Sequence, residues 1–440
     1  MSRDPFEELA EARSRGLPRG LYSVCSSHPL VLEAAVRRAA RRGLPLLVEA
    51  TANQVNQEGG YTGMAPADFS ARLAALRDAY RVPEELVVFG GDHLGPFPWR
   101  GLPAAEAMAR AEALVRAFVA AGARKIHLDA SMALGGDTGP VPAPELAAAR
   151  AARLCAAAEA EARASGRSRA PVYVIGTEVP VPGGARGGEG GPVPTEGRAF
   201  AETAALHEAT FREAGLGEAW ERVIAAVVQP GVEFDSEGLH PYRRDRAAGL
   251  AAALRGRPGL FFEGHSTDYQ SDEALRELVE DGFAFLKVGP ALTFALREAL
   301  FGLAAIEAEL GRGPRRPRLP ELLGDAMRED DSHWRGYCRS GDPMELSYSL
   351  SDRSRYYWER PAVAAEVERL LAALEGEDLP PGLVSQHLPR LGGAQGALAL
   401  GRRASPRELV MASVDAELAR YEAACFPAQA RGGEGEDRTA

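Results

Sequence analysis

"LFFEGHSTDYQSDEALRELVEDGFAFLKVG", residues 260–289, holds two apolar runs with a helical pattern between them. The middle piece, 271–282, opens on Ser-Asp and closes on Gly, the start and stop signals of a short helix. Two near-continuous apolar strands joined through a helix lie parallel, with both faces of their sheet covered. The first run does not fade into an ordinary turn. It ends in Glu263, His265, Ser266 and Asp268, a density of polar groups that suggests a bound partner.

Working outward, the same unit recurs. Six further runs rich in Val, Ile, Leu and Phe are "GLYSVCS" (20–26), "LPLLVEAT" (44–51), "LVVFGGDH" (86–93), "KIHLDAS" (125–131), "VYVIGTE" (172–178) and "VIAAVVQPG" (223–231). Helical patterns follow, among them 29–43, 66–80, 103–122 and 144–166, several opening on Pro and closing on Gly. Eight strand-helix units predict an α/β fold, a (β/α)8 TIM barrel. The alternative, an open doubly wound sheet, calls for a Gly-rich phosphate turn after the first strand. The chain reads "SVCSSHP" there, without GxGxxG. The Gly-rich stretch "PGGARGGEGGPVPTEG" (182–197) lacks the Lys-Ser/Thr of a P-loop and reads as a loop over the barrel mouth.

Past residue 310 the alternation stops at "GRGPRRPRLP". The expected organisation is a barrel over 1–310, a helical C-terminal extension over 311–428 containing "SYSLSDRSRYYW" (347–358), and a disordered tail over 429–440. No stretch approaches the roughly 18 uncharged apolar residues of a membrane span. The N-terminus "MSRDPFEELAEARSRG" lacks the apolar core of a secretory signal, so the expected location is the cytoplasm. Cys25, Cys155, Cys338 and Cys425 are far apart and form no CxxC pair, which suits a reducing compartment. A net charge of −11 disfavours non-specific nucleic-acid binding.

In a barrel of this kind, function gathers at the carboxyl ends of the strands. Ionisable and amide side chains cluster there: Glu49, Asn53 and Gln54 after the second run, Asp92 and His93 after the third, His127 and Asp129 on the fourth. Glu178, Gln229, the Glu263 to Asp268 group and Lys287 complete the rim. Burying so many charges without purpose costs several kcal/mol each, so the set points to a site. His93 and His265 with an acid such as Glu178 or Asp129 could hold a divalent cation. Lys287 could instead form a Schiff base with a carbonyl substrate, or simply pair with a rim acid. The loops "GHSTDYQ" and "VGPALTF" offer Gly264, Ser266, Thr267, Gly289 and Thr293 to a phosphate. Arg353 and Arg355 read as part of an exposed charged helix.

With these motifs assembled, the sequence closely resembles the Z-type subunits of class II D-tagatose-1,6-bisphosphate aldolase, a family also labelled tagatose-6-phosphate kinases. The matching stretches include "LLVEATANQVNQEGGYTGM", "GGDHLGPFPW", "KIHLDASM", "VVQPGVEF", "FEGHSTDYQ", "LKVGPALTFALREALF" and "SDRSRYYW". The resemblance implies a TIM barrel acting in galactitol or N-acetylgalactosamine (tagatose) catabolism. There a partner Y-type subunit carries the zinc-dependent cleavage, and the Z-type subunit supports its activity and stability. Some relatives are metal-dependent C4-epimerases of ketohexoses. The kinase label finds no nucleotide-phosphate loop to support it.

Catalytic class II aldolases are similar to this chain in the Asp92-His93 pair and in His265. Their remaining His ligand falls near the end of the sixth strand, where this chain has Gln229, a weaker neutral ligand. The resemblance thus implies metal ligation by His93, His265, Glu178 and Gln229, with Zn or Mn as the metal. Asp92, Glu178 and Asp129 are the catalytic candidates. Asn53, Gln54, Gly264, Ser266, Thr267, Asp268, Lys287 and Gly289 are the candidates for binding a ketose or ketose phosphate. Two functions stay open: a stabilising component of an aldolase complex, or a stand-alone C4-epimerase working by retro-aldol and aldol steps. The sequence leaves the oligomeric state open.

Overall fold

The computed structural model describes residues 4–139, 141–166, 169–176, 191–312, 318–338 and 340–427. Eight parallel strands form a closed barrel: β1 (Leu21–Val24), β2 (Leu46–Thr51), β3 (Val87–Leu94), β4 (Lys125–Leu128), β5 (Val172–Ile175), β6 (Val223–Val227), β7 (Phe261–Gly264) and β8 (Phe283–Val288). Neighbours in sequence are neighbours in the sheet, and β1 closes on β8 through Ser23 opposite Lys287. Each expected apolar run carries one strand, and the helices Pro29–Arg42, Pro66–Ala79, Ala104–Ala120, Pro144–Ala164 and Asp272–Glu280 fall inside the expected ranges. A two-stranded hairpin, Glu233–Phe234 with Leu239–His240, interrupts the connection after β6. The expected tail, most of the Gly-rich stretch and Glu178 lie outside the described residues.

The strands' outward side chains pack under the helices, but the lumen is polar. Glu49 on β2 stands opposite Gly90 on β3, and Gly90 stands opposite Lys125 on β4. Because Gly90 has no side chain, Lys125 reaches across it to Glu49 at 2.8 Å, and a Cβ at Gly90 would press on the Glu49 side chain at 3.0 Å. Lys125 also meets Glu263 at 2.5 Å. A charged layer this deep survives only because each member is paired.

The helix Pro290–Glu309 completes the ring, and the extension packs around it as the helices Arg318–Glu329, Pro343–Tyr348, Pro361–Leu374, Pro381–His387, Gly393–Leu400 and Pro406–Cys425. Polar ties weld this layer to the barrel. Arg369 grips the buried Glu307 carboxylate with two bonds of 2.6 and 2.8 Å, Arg38 bonds Glu422 at 2.7 Å, and the Tyr421 hydroxyl donates to the Thr267 carbonyl at 2.7 Å. Among the described residues no helix is long and apolar enough to cross a membrane, and all four cysteines are free.

Candidate functional site

The carboxyl ends of β3, β4 and β7 bring three imidazoles into mutual contact. The ring centres of His93, His127 and His265 lie 4.8–5.5 Å apart. Asp92 is the hub beneath them. Its Oδ1 lies 2.9 Å from His127 Nδ1, 3.0 Å from the Lys287 ammonium and 4.0 Å from His265 Nε2, and it accepts the His93 backbone N–H at 3.0 Å. Glu263 Oε1 sits 3.1 Å from His265 Nε2. Asp92, His127, Glu263 and His265 are all buried, and each offers a ligand atom within 4.8 Å of the others.

Local backbone builds this convergence. His93 and Ser266 adopt left-handed conformations, φ 48° and 53°, which cost a non-glycine residue about 1–3 kcal/mol and mark backbone held in place by its surroundings. Gly95 lets the loop after β3 run against the end of β4, since a Cβ there would overlap the Asp129 carbonyl. That approach sets Asp129 Oδ2 2.8 Å from His93 Nδ1, while its other oxygen accepts from Ser131, from the backbone N–H at 3.0 Å and the hydroxyl at 2.5 Å. A carboxylate on Nδ1 fixes an imidazole's tautomer and aims Nε2 outward, the usual support of a metal-binding histidine.

The fields at the site oppose one another. Burial works to raise Asp92, but Lys287, His93 and His265 hold it well below the usual carboxylate range. Burial likewise works against the charge on Glu263, which Lys125, Lys287 and His265 keep ionised. His93 is raised because Asp92 and Asp129 outweigh its burial. His265 goes the other way: burial, with help from His93 and Lys287, pushes it down to about 4, so it is neutral at physiological pH. Lys287 meets Glu49 at 2.6 Å, Asp92 at 3.0 Å and Glu263 at 3.2 Å. Burial would lower its pKa, but the three carboxylates raise it well above the ordinary value. A Schiff base needs the free amine, so the structure corrects that expectation toward the paired lysine.

His127 supplies the test of whether a cation fits. Its Nε2 is buried and makes no hydrogen bond among the described residues. Its Nδ1 lies against both the His93 N–H, at 3.2 Å, and Asp92 Oδ1. If Nδ1 carries the proton, Nε2 is a bare buried lone pair; if it does not, a lone pair faces a carboxylate at 2.9 Å. Either state is relieved by a positive ion, and two histidines with two carboxylates are a suitable donor set for a divalent metal. The cluster can hold one.

Other expected site residues are engaged elsewhere. Gln229 spends its amide oxygen on the N–H groups of Gly231 and Val232, at 2.8 and 3.0 Å, and makes a turn rather than facing the imidazoles. Thr267 is fully buried and donates to the Lys287 carbonyl at 2.6 Å. Gly264 is buried between Phe283 and Thr267. Asp268 accepts the N–H groups of Gly289 and Ala291 at 3.0 and 2.8 Å, capping the helix Pro290–Glu309. Of the backbone donors expected to grip a phosphate, the Gly289 N–H is therefore occupied. Burial pushes Asp268 up to about 6.

Asn53, Gln54, Ser266 and Gly289 do line the cleft above the cluster, a cavity of about 100 Å³ that opens to solvent and is shared with Asp92, His93, Asp268 and Lys287. The extension supplies the far wall through Arg355 and Tyr356, and Arg353, expected on an exposed helix, is buried. Sequence reasoning placed His127 on the rim but gave it no role; its opposition to His93 across two strands has no signature in spacing along the chain.

A family model described as "D-tagatose-1,6-bisphosphate aldolase subunit GatZ/KbaZ-like" matches residues 6–426. The chain belongs to the GatZ/KbaZ-like family. It is 47% identical over 423 residues to the D-tagatose 6-phosphate 4-epimerase of Agrobacterium fabrum, covering 95% of this chain and 98% of that protein. It is 48% identical over 388 residues to the D-tagatose-1,6-bisphosphate aldolase subunit GatZ of Klebsiella pneumoniae, covering 87% of this chain and 91% of that one. A crystal structure from Sinorhizobium meliloti, described as a "probable tagatose 6 phosphate kinase", superimposes with a TM-score of 0.83 at 47% identity, covering 92% of this chain and all of that one. Family membership places the GatZ/KbaZ-like chain in carbohydrate metabolism.

Proposed function

We propose that the chain is a Z-type component of class II D-tagatose-1,6-bisphosphate aldolase, supporting the activity and stability of a catalytic Y-type subunit in tagatose catabolism in the cytoplasm. The family match over residues 6–426 carries this reading. Its test is co-purification with a Y-type subunit and assay of D-tagatose 1,6-bisphosphate cleavage. Addition of this chain should raise the partner's rate and melting temperature; a partner indifferent to it would rule the role out.

A second reading rests on one observation of its own, the converged rim. A scaffold needs no buried histidine nitrogen without a partner, no strained His93 and no neutral imidazole aimed at two carboxylates. These support a stand-alone C4-epimerase of a ketohexose or its phosphate. His127, His265, Asp92 and Glu263 would hold a divalent metal, Zn or Mn, with His93 beside them. When bound, the metal supplies Lewis-acid polarisation of a ketose carbonyl.

The chain's own residues do the rest. Asp92, ionised at rest, accepts the proton of the C4 hydroxyl as the C3–C4 bond breaks, its electron pair passing onto C3 and the C2 carbonyl as an enolate while C4 becomes an aldehyde. Returning that proton after C3 adds to the opposite aldehyde face restores the ketose with C4 inverted. Glu178 is the alternative acceptor. Asp129 holds His93 in orientation, Lys287 keeps Asp92 and Glu263 apart and ionised, and Asn53, Gln54, Ser266 and Gly289 position the sugar. The test is C4 epimerisation of D-tagatose and its 6-phosphate by the isolated chain with added metal. His265→Ala should abolish turnover and metal binding together; turnover surviving that change would exclude this site.

A further inference from the structure

The stretch "SYSLSDRSRYYW" carries a device the reactions above do not use. Arg355 lies in the turn Arg353–Tyr356 of the extension and lines both the main cleft and an adjoining pocket with Ser26, Ser27, Gln54 and Tyr61. The turn is anchored rigidly. Asp352, held at φ 42°, accepts from the Thr293 hydroxyl and from Ser354 at 2.7 Å, so the loop is tied to the helix that follows β8.

The guanidinium is held but not neutralised. Nη1 donates to the carbonyls of Ser351 and Asp352 at 2.5 and 2.9 Å, and Nη2 donates to the Tyr356 hydroxyl at 3.0 Å. An arginine has five N–H donors, so Nε–H and one Nη2–H remain. Among the described residues no carboxylate comes within ion-pair distance of Arg355; Asp352 and Asp268 act on it only through their fields. Glu359, at the edge of the adjoining pocket, is 4.0 Å from Arg72 instead. Of the strong cations that face the cleft among the described residues, Lys287 is saturated by three carboxylates, whereas Arg355 makes no ion pair. The Tyr61 hydroxyl, hydrogen-bonded to Gln54 and Ser27, lines the same pocket and adds one O–H donor.

We propose that Arg355, with Tyr61 and the Ser26–Ser27 loop, forms the subsite that binds the phosphate of a ketohexose phosphomonoester whose reactive carbons lie at the imidazole cluster. This rests on reading the cleft as a sugar site, and it moves phosphate recognition away from the Gly289 donors that Asp268 already occupies. A fixed planar fork with spare donors and no ion-paired carboxylate among the described residues is the arrangement that favours a phosphate over a hydroxyl.

The test is calorimetric titration of the full chain with D-tagatose 6-phosphate, D-tagatose and inorganic phosphate. Inorganic phosphate should compete with the sugar phosphate and not with D-tagatose. Arg355→Gln should weaken the sugar phosphate and inorganic phosphate by about tenfold or more, as expected when one partner of a desolvated charge pair is removed, and leave D-tagatose affinity and metal content unchanged. R355K, which keeps the charge and loses the fork, should fall between; it decides the matter if R355Q does not fold. A folded R355Q or R355K that binds the sugar phosphate like wild type would overturn the proposal, as would a wild-type chain in which inorganic phosphate fails to compete. Arg355-dependent binding without turnover would sink the epimerase reading and keep the subsite; turnover with Arg355-independent binding would do the reverse.

Discussion

Replacing Lys287 by Met tests the electrostatics of the barrel interior. The substitution keeps most of the side chain's volume and deletes an ammonium within 3.2 Å of three carboxylates. Removing one partner of a buried ion pair costs about 3–5 kcal/mol. The structure places the loss near the lower end. Glu49 and Glu263 each keep Lys125, at 2.8 and 2.5 Å, and Asp92 keeps His127 and the His93 N–H. The expected loss is therefore about 3 kcal/mol, a fall in melting temperature of roughly 3–4 °C for a chain of this length unfolding as one unit. Added divalent cation should recover part of it, because a metal among Asp92, Glu263, His127 and His265 replaces the missing positive charge. Thermal melts followed by circular dichroism, with chelator and with metal, measure both quantities. A K287M chain that melts with the wild type in chelator would refute the argument that this lysine compensates the buried acids.

Three further outcomes follow from the same geometry. His265, pushed down to about 4 against an ordinary value of 6.5, is neutral in the fold and proton-binding once unfolded. The stability it contributes is full above pH 6.5 and is lost as pH falls toward 4, about 2 kcal/mol by pH 5. Asp268, raised to about 6, has the opposite slope. Metal-free His265→Gln should therefore lose less stability between pH 7 and 5 than wild type in denaturant titrations; equal losses would contradict the assignment. Asp268→Ala removes the cap on Gly289 and Ala291 and should cost about 1–2 kcal/mol with metal content unchanged; a stable D268A that no longer binds sugar would make Asp268 a ligand contact instead. Gln229→Ala should leave metal content intact, since its amide oxygen serves Gly231 and Val232, and metal loss would contradict that.

The fold was legible because alternation of apolar runs with capped helices is a local property, and all eight strands fell where the runs lay. Much of the rim was legible for the same reason: Asp92, His93 and His265 end strands, and strand ends in a barrel share one face. What escaped depends on contacts between distant segments. His127 meets His265 across the barrel, Gln229 and Thr267 turn to nearby backbone groups, and Arg355 reaches the cleft only because the extension folds back over the mouth. A charged dodecamer read along the chain looks like a solvated helix. Only its tie to Thr293 shows otherwise.

The central claim is that the converged histidines and carboxylates form a working metal centre. Elemental analysis of the isolated chain, dialysed after exposure to Zn or Mn, tests it most directly. The expected result is one divalent ion per chain in wild type and none in His265→Ala or His127→Ala, with both variants folded. A wild-type chain that takes up no metal, or variants that retain it, would contradict the account.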